Sequence, residues 1–477
     1  MNNLKILIQN NIKTSLNIAE IKYAFRVLLT IAGVKCEFVN NIDDLPDIYY
    51  GMELNNNIRL NIKMSSVFYL TEENCEPEKI ISENNNYFFI FSGFSEKGII
   101  TGKDSAVIID NDIIFTTYYL LSGTHEKNIK HNKKDQQVLE TVLLYKNKLL
   151  HTPLINGYAL LIKSFFEKTH QFIPLWPNHK KYAIIFSHDV DYPVMIKSIE
   201  ICRHILKNKK IDLSIIAGII RGKNNFWRFN DWVNFEKRYN IRSAFYFSGL
   251  KGTFLKYLFK VPDTFYDISE KKFRDVIKYL DDNGFEIGLY ASYLAYKSKD
   301  FFDFEKNNLE KTFGKRVVGN RHHYWHMNPK KIWETSQIHA ESGLLYDTSV
   351  CLAKHPGFRY SICSPFHFFN QDTKTEINCL ELPSVLMDDH LFGYRKYLEY
   401  NNYEKEIDVL VDAVKKYNGL LVLDYHVRVF NSDFFPDWLK SYEYIIKKIN
   451  EASDYYCDTP ENIAKYWLNR EKQINGI

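Results

Sequence analysis

Five stretches of the chain place ionisable residues directly after an apolar run: "YAIIFSHDVD" (182–191), "FEIGLYASY" (285–293), "RVVGNRHHYWH" (316–326), "LELPSVLMDDH" (380–390) and "LLVLDYH" (420–426). Each run has the β-branched or aromatic character of a buried strand. Where parallel strands alternate with helices, reactive groups gather at the carboxyl ends of the strands. Four of the five ends carry His or Asp, so one face would collect carboxylates, imidazoles and a guanidinium. Asp189 and Asp191 are two apart and would share one face of a continuing strand. One carboxylate can then hold a cation while the other takes a proton from water attacking a carbonyl. The competing reading makes Asp189 a helix cap and leaves Asp191 in solvent.

In their order and spacing, "SHDVD", "GFEIGLYASY", "RHHYWH", "LYDTSVCLAKHPGFR" and "DYH" resemble the polysaccharide deacetylase (NodB-homology) superfamily, over about residues 182–470. The resemblance is to the branch whose first motif reads Asp-x-Asp. Residues 1–175 also resemble the N-terminal α/β domain that precedes such deacetylases, through "YAFRVLLTIAG" and "DIIFTTYYLLS". The resemblance implies a distorted (β/α) barrel of about seven strands, hydrolysis of N-acyl (less often O-acyl) groups on sugars, and a divalent metal such as Zn²⁺. It implies Asp189 as general base, Asp191 as metal ligand, Arg321 as the group orienting the base, and His426 as the acid that protonates the leaving amine.

The second motif departs from the family pattern. Metal-binding histidines normally follow the "EIGL" strand, but this chain has Tyr290 and Leu294 there. A phenol with a pKa of ~10 is a poor zinc ligand, and leucine cannot coordinate. Catalytic zinc generally takes three protein ligands. His323 and His326 are the expected replacements, and His322 and His326 would present two imidazoles together if the segment were helical. Tyr290, Tyr293, Trp325 and Asp388 are the expected substrate contacts. Asp388 could instead contact His426, and Asp424 could orient that imidazole or simply end its strand. His188 would point to the other side of the strand. Trp227 and Trp232 suit either a sugar-stacking wall or the core. The alternative to an enzyme is a catalytically inactive barrel that binds a glycan or a partner.

The elements that would position these groups change character along the chain. Residues 1–175 read as a smaller α/β domain. Strand–helix alternation then runs over 180–472, with helices near 194–207, 230–239, 269–283, 302–313, 329–342, 402–417 and 437–451. That alternation predicts an α/β fold, a distorted (β/α)7-type barrel behind the N-terminal domain. "GTHEKNIKHNKKDQQ" reads as an exposed loop with His125 and His131 in solvent. The chain has 477 residues, 45% hydrophobic and 25% charged, with 62 basic and 58 acidic residues interspersed. No concentrated basic face suggests a nucleic-acid partner. Seven cysteines without a CxxC pair suggest free thiols rather than a disulfide framework or zinc ribbon. "LSIIAGII" falls far short of the ~20 residues that cross a bilayer. A cytoplasmic location with a sugar or glycan substrate is the expectation.

Overall fold

The computed structural model describes residues 3–9, 16–64, 76–91, 98–103, 106–131, 137–198, 200–201, 205, 213–222, 226–253, 262–394, 403–451 and 453–476. The helix expected near 194–207 lies partly outside these residues.

Eight short strands occupy the first part: β1 (Leu4–Ile8), β2 (Cys36–Val39), β3 (Ile48–Gly51), β4 (Leu60–Lys63), β5 (Lys79–Glu83), β6 (Asn86–Ile90), β7 (Ile100–Lys103) and β8 (Ala106–Ile109). Six form a sheet in the order β2-β1-β3-β4-β8-β7, parallel except at β7–β8, while β5 and β6 pair separately. Helix Ile18–Ala32 starts on a capping box in which Asn17 accepts the Glu20 N–H and the Glu20 carboxylate accepts that of Asn17. It ends at Gly33, whose φ of +94° is left-handed and where a Cβ would lie 2.1 Å from the Ile173 carbonyl oxygen. Only glycine fits there. The helix packs against helices Ile113–Leu121 and Leu154–Phe166.

The second sheet comprises β9 (Tyr182–Val190), β10 (Ala244–Phe247), β11 (Glu286–Ala291), β12 (Gly319–His322), β13 (Tyr346–Asp347), β14 (Phe366–Asn370), β15 (Thr375–Glu381), β16 (Leu386–Met387), β17 (Leu420–Asp424) and β18 (Tyr455–Cys457). Its path is β14-β15-β13-β12-β11-β10-β9-β17-β16, with β18 also beside β9. Every pairing from β15 to β16 is parallel, which gives eight strands along that run. Among the described residues β14 and β16 do not pair, so the sheet curls without closing. The fold is α/β, a distorted barrel behind a smaller α/β part. The parallel run exceeds the expected seven partly because "LELPSVLM" is two strands. Pro383 has no N–H to give a ladder, and the chain leaves β15 at Glu381 to start β16 at Leu386.

All nine residues of β9 are buried, as in a central parallel strand covered on both faces. His188 points outward, where its ring nitrogens lie 2.8 Å from the Tyr425 carbonyl and 3.0 Å from Glu236 Oε1, beneath helix Phe229–Arg238. Trp232 caps the same cluster through Nε1 to the Val427 carbonyl, and Trp227 packs on Phe229 and Phe273. Both tryptophans are packing residues.

The two sheets share one apolar core. Asn156 donates to Ser364 Oγ (2.8 Å) and accepts the Cys363 N–H (3.0 Å), and the Tyr23 hydroxyl donates to the His367 carbonyl (2.7 Å). The "GTHEK" segment is not the exposed loop its charges suggest. His125 is buried against Tyr119 and Tyr360, and Glu126 accepts two bonds from Arg359, at 2.8 and 2.7 Å. A guanidinium buried in the barrel loop requires a buried carboxylate, and this segment is drawn in to supply it. Glu126→Ala is expected to destabilise the protein by about 3–5 kcal/mol, because Arg359 is left charged and unpaired. Chemical denaturation reads this directly; a loss below about 1 kcal/mol would show a solvent-screened pair instead. Among the described residues no helix is long and apolar enough to cross a membrane.

Candidate active site

The carboxyl ends of β9, β11, β12, β16 and β17 surround a pocket of about 90 Å³ lined by Asp189, Asp191, Tyr290, His323, Tyr324, Trp325, Ala353, Met387, Asp389, His426 and Arg428. Six of the ten residues expected from the sequence to have catalytic, metal or substrate roles line it: Asp189, Asp191, Tyr290, His323, Trp325 and His426. Arg321 lies directly beneath, fully buried. Its NH1 donates to Asp189 Oδ1 at 2.9 Å and sits 3.2 Å from Asp424 Oδ1, while Nε donates to Thr348 Oγ1 at 2.9 Å. The guanidinium is held between the Tyr246 and Trp325 rings, 4.5 and 5.0 Å from their centres. Burial, and then the neighbouring Asp189, push the Asp424 carboxyl well above its ordinary value. Of the two carboxyls, Asp189 takes the aligned hydrogen bond from the guanidinium.

His426 is anchored from behind. Asp388, itself fully buried, accepts the His426 backbone N–H at 2.6 Å and lies 2.8 Å from Nδ1. Asp388 thus orients the imidazole and does not reach the pocket as a substrate contact. Asp424, which could have had that orienting role, is occupied with Arg321. Burial disfavours a charged ring, yet Asp388 and Asp191 outweigh it and hold His426 well above the ordinary histidine range. The ring is an imidazolium at neutral pH, with Nε2 3.7 Å from Asp191 Oδ2.

Asp191 forms a short ion pair with the Arg428 guanidinium. Burial pushes its carboxyl up, but Arg428, and after it His426, hold it below the ordinary value. Arg428 was not singled out from the sequence. The available signal was a lone cation two residues beyond "DYH", at the mouth of the same strand end.

The histidine-rich segment does not form a helical pair. After His322 the backbone turns through left-handed Tyr324 (φ 59°) and Trp325 (φ 57°), which sends the three imidazoles in different directions. His322 faces the core, its Nε2 2.8 Å from that of His339. His326 stacks on Tyr293 at 3.8 Å, with Nδ1 2.7 Å from the Tyr293 carbonyl. Neither His326 nor Tyr293 lines the pocket, so the expected metal and substrate roles find no support in their position. His323 alone faces inward, 4.9 Å from the Tyr290 ring, and burial lowers its pKa to about 3. It is neutral. Tyr290 is also protonated, because burial and the carboxylates of Asp189 and Asp191 raise its phenol well above the usual range.

Two groups of potential ligand atoms lie at this site within 4.8 Å of one another: Asp189–Asp424–His426 and Asp388–Asp389–His426. In the first, both carboxyls already face Arg321; in the second, Asp388 is bound to His426. Neither group contains Asp191 or His323.

Comparison with known proteins addresses the two parts separately. Residues 10–171 match the model of a family of unknown function (DUF7033). No curated protein matches the chain. The chain is similar to polysaccharide deacetylases. A "probable polysaccharide deacetylase" from Pseudomonas aeruginosa PAO1 is 16% identical, covering 63% of this chain and 95% of its own, with a TM-score of 0.42. The Puue allantoinase is 15% identical over 63% of this chain and 95% of its own (TM-score 0.42). Peptidoglycan deacetylase PdaC from Bacillus subtilis is 13% identical over 62% and 96% (TM-score 0.29). The barrel assignment rests on the strand order described above, not on these likenesses.

Proposed function

We propose that the pocket hydrolyses an N-acyl group, in the first instance acetyl, carried by a sugar or glycan precursor. The observation that supports this is a pair of separately anchored proton-transfer groups: Asp189 on Arg321 and His426 on Asp388, with potential ligand atoms within 4.8 Å of each other. In this reading Asp189 takes a proton from water as the water oxygen attacks the acyl carbon. The resulting oxyanion meets the Arg428 guanidinium and the Tyr290 hydroxyl, both protonated donors. His426 then passes its proton to the amine nitrogen as the C–N bond breaks, releasing a carboxylate and an amine. A pocket of about 90 Å³ suits an acyl group and a water, with the sugar ring at the mouth.

The divalent ion implied by the resemblance does not fit these residues. Its expected ligand Asp191 is already neutralised by Arg428, and a metal there would face a permanently charged guanidinium. We assign to Arg428 the positive charge that Zn²⁺ would supply. The five described cysteines are all free, which supports a reducing, cytoplasmic compartment. We read residues 1–175 and 180–472 as two domains.

The test is acetate release from an N-acetylglucosamine oligomer, before and after treatment with a chelator. Release that survives chelation and falls about 10²–10⁴-fold in Asp189→Asn is expected. Release only after added Zn²⁺ would return the pocket to metal chemistry. Tyr290 in place of the second-motif histidine favours one other reading, a barrel that binds glycan without hydrolysing it. Oligomer binding without any acetate would establish that instead.

A further inference from the structure

We propose that His151, His355 and Glu406 form a second site, a zinc-type divalent-metal site remote from the pocket. The three come from separate segments: His151 precedes helix Leu154–Phe166, His355 lies in the barrel loop after β13, and Glu406 sits in the first turn of helix Tyr403–Lys416. One potential ligand atom from each lies within 4.8 Å of the others. Ligands about 2.1 Å from a tetrahedral ion are about 3.4 Å apart, so modest side-chain rotation closes the set on one centre.

The chemistry of each donor agrees. His355 Nδ1 is 2.7 Å from the Pro356 carbonyl, which can only accept, so the proton sits on Nδ1 and Nε2 carries a lone pair. A backbone carbonyl behind the ring is a common way of orienting a metal-binding histidine. His151 Nε2 lies 2.8 Å from Glu406 Oε1, yet no aligned hydrogen bond reaches that nitrogen. The two atoms face each other at ion-pair distance, the approach from which one shared ion would hold both. Two imidazoles and a carboxylate suit Zn²⁺ better than Mg²⁺ or Ca²⁺, which prefer oxygen throughout. An adjoining cavity of about 590 Å³ gives a water room to complete the sphere. Of the two lysines on that cavity, Lys146 is paired with Glu76 at 3.2 Å.

The site makes no use of the pocket, so its test is independent of the proposed hydrolysis. Full-length protein is loaded with Zn²⁺, dialysed and analysed for metal, with Co²⁺ absorption as a second reading. About one ion per chain is expected. His151→Gln, His355→Gln and Glu406→Gln should each weaken binding at least about tenfold, while Asp191→Asn leaves it unchanged. Zn²⁺ should raise the Tm of the wild type and not that of His355→Gln. X-ray absorption at the zinc edge of the wild type needs no variant to fold, and should show two imidazoles with oxygen ligands. Absence of stoichiometric Zn²⁺, its retention in the His151→Gln/His355→Gln double variant, or its loss in Asp191→Asn would each overturn the proposal.

Discussion

Arg321→Met is expected to cost about 3–5 kcal/mol of stability, in the range for removing one partner of a buried ion pair. The guanidinium is fully buried and touches Asp189, Asp424 and Thr348 at once, between two aromatic rings. Methionine fills much of the volume but leaves Asp189 charged in a dry site. The carboxyl must then take up a proton or draw in water, and either outcome also removes the proposed base. Lysine should rescue little, since one ammonium cannot reproduce a planar fork with three directed contacts. Adding Asp189→Asn to Arg321→Met should recover part of the loss, because the second change removes the stranded charge. Chemical denaturation of the four proteins measures the coupling. Strict additivity would show that Asp189 is solvated independently of Arg321.

The second large effect concerns His426. His426→Ala is expected to lower acetate release by about 10²–10⁴-fold, the usual worth of a positioned general acid. The informative variant is Asp388→Asn. His426 is held above its ordinary value, so the rate should persist through the pH at which a free imidazole of pKa ~6.5 loses its proton, and fall only at higher pH. Removing Asp388, the largest cause raising it, should move that alkaline limb to lower pH. The same shift is readable without substrate from the imidazole NMR signals. The linkage to folding has the matching sign. This group's stabilisation is complete below the unfolded value and is lost as pH rises through the folded one. An unmoved limb in Asp388→Asn would separate His426 from the titration.

Most of what the sequence made legible concerns strand ends. Apolar runs stopping at Asp189, Tyr290, Arg321 and His426 are local patterns, and parallel topology alone brings such ends together. What the sequence did not disclose depends on contacts between distant segments. The partner of His426 could be Asp424 or Asp388 by spacing, and only the register of β16 against β17 decides for Asp388. "RHHYWH" looks like a cluster of ligands, but two left-handed residues separate its members, and neither is a glycine that would have signalled the turn. His125 and Glu126 sit in a charged stretch whose burial is dictated by Arg359, more than two hundred residues away. Arg428 was hidden for a different reason: one basic residue beside a motif is ordinary surface until its counter-charge is located.

The loop that carries Ala353 into the pocket wall is stitched to the first part of the chain. Phe358 N–H donates to the Leu150 carbonyl, Ser361 bonds the Thr152 carbonyl and the Leu154 N–H, and Arg359 joins Glu126 to the Cys351 carbonyl. A barrel excised at the junction would lose the template for one side of its own cleft. The barrel is therefore not a transferable cassette: a chimera that exchanges the leading segment also remoulds the cleft, and any ligand preference should follow the donor of that segment as much as the donor of the barrel.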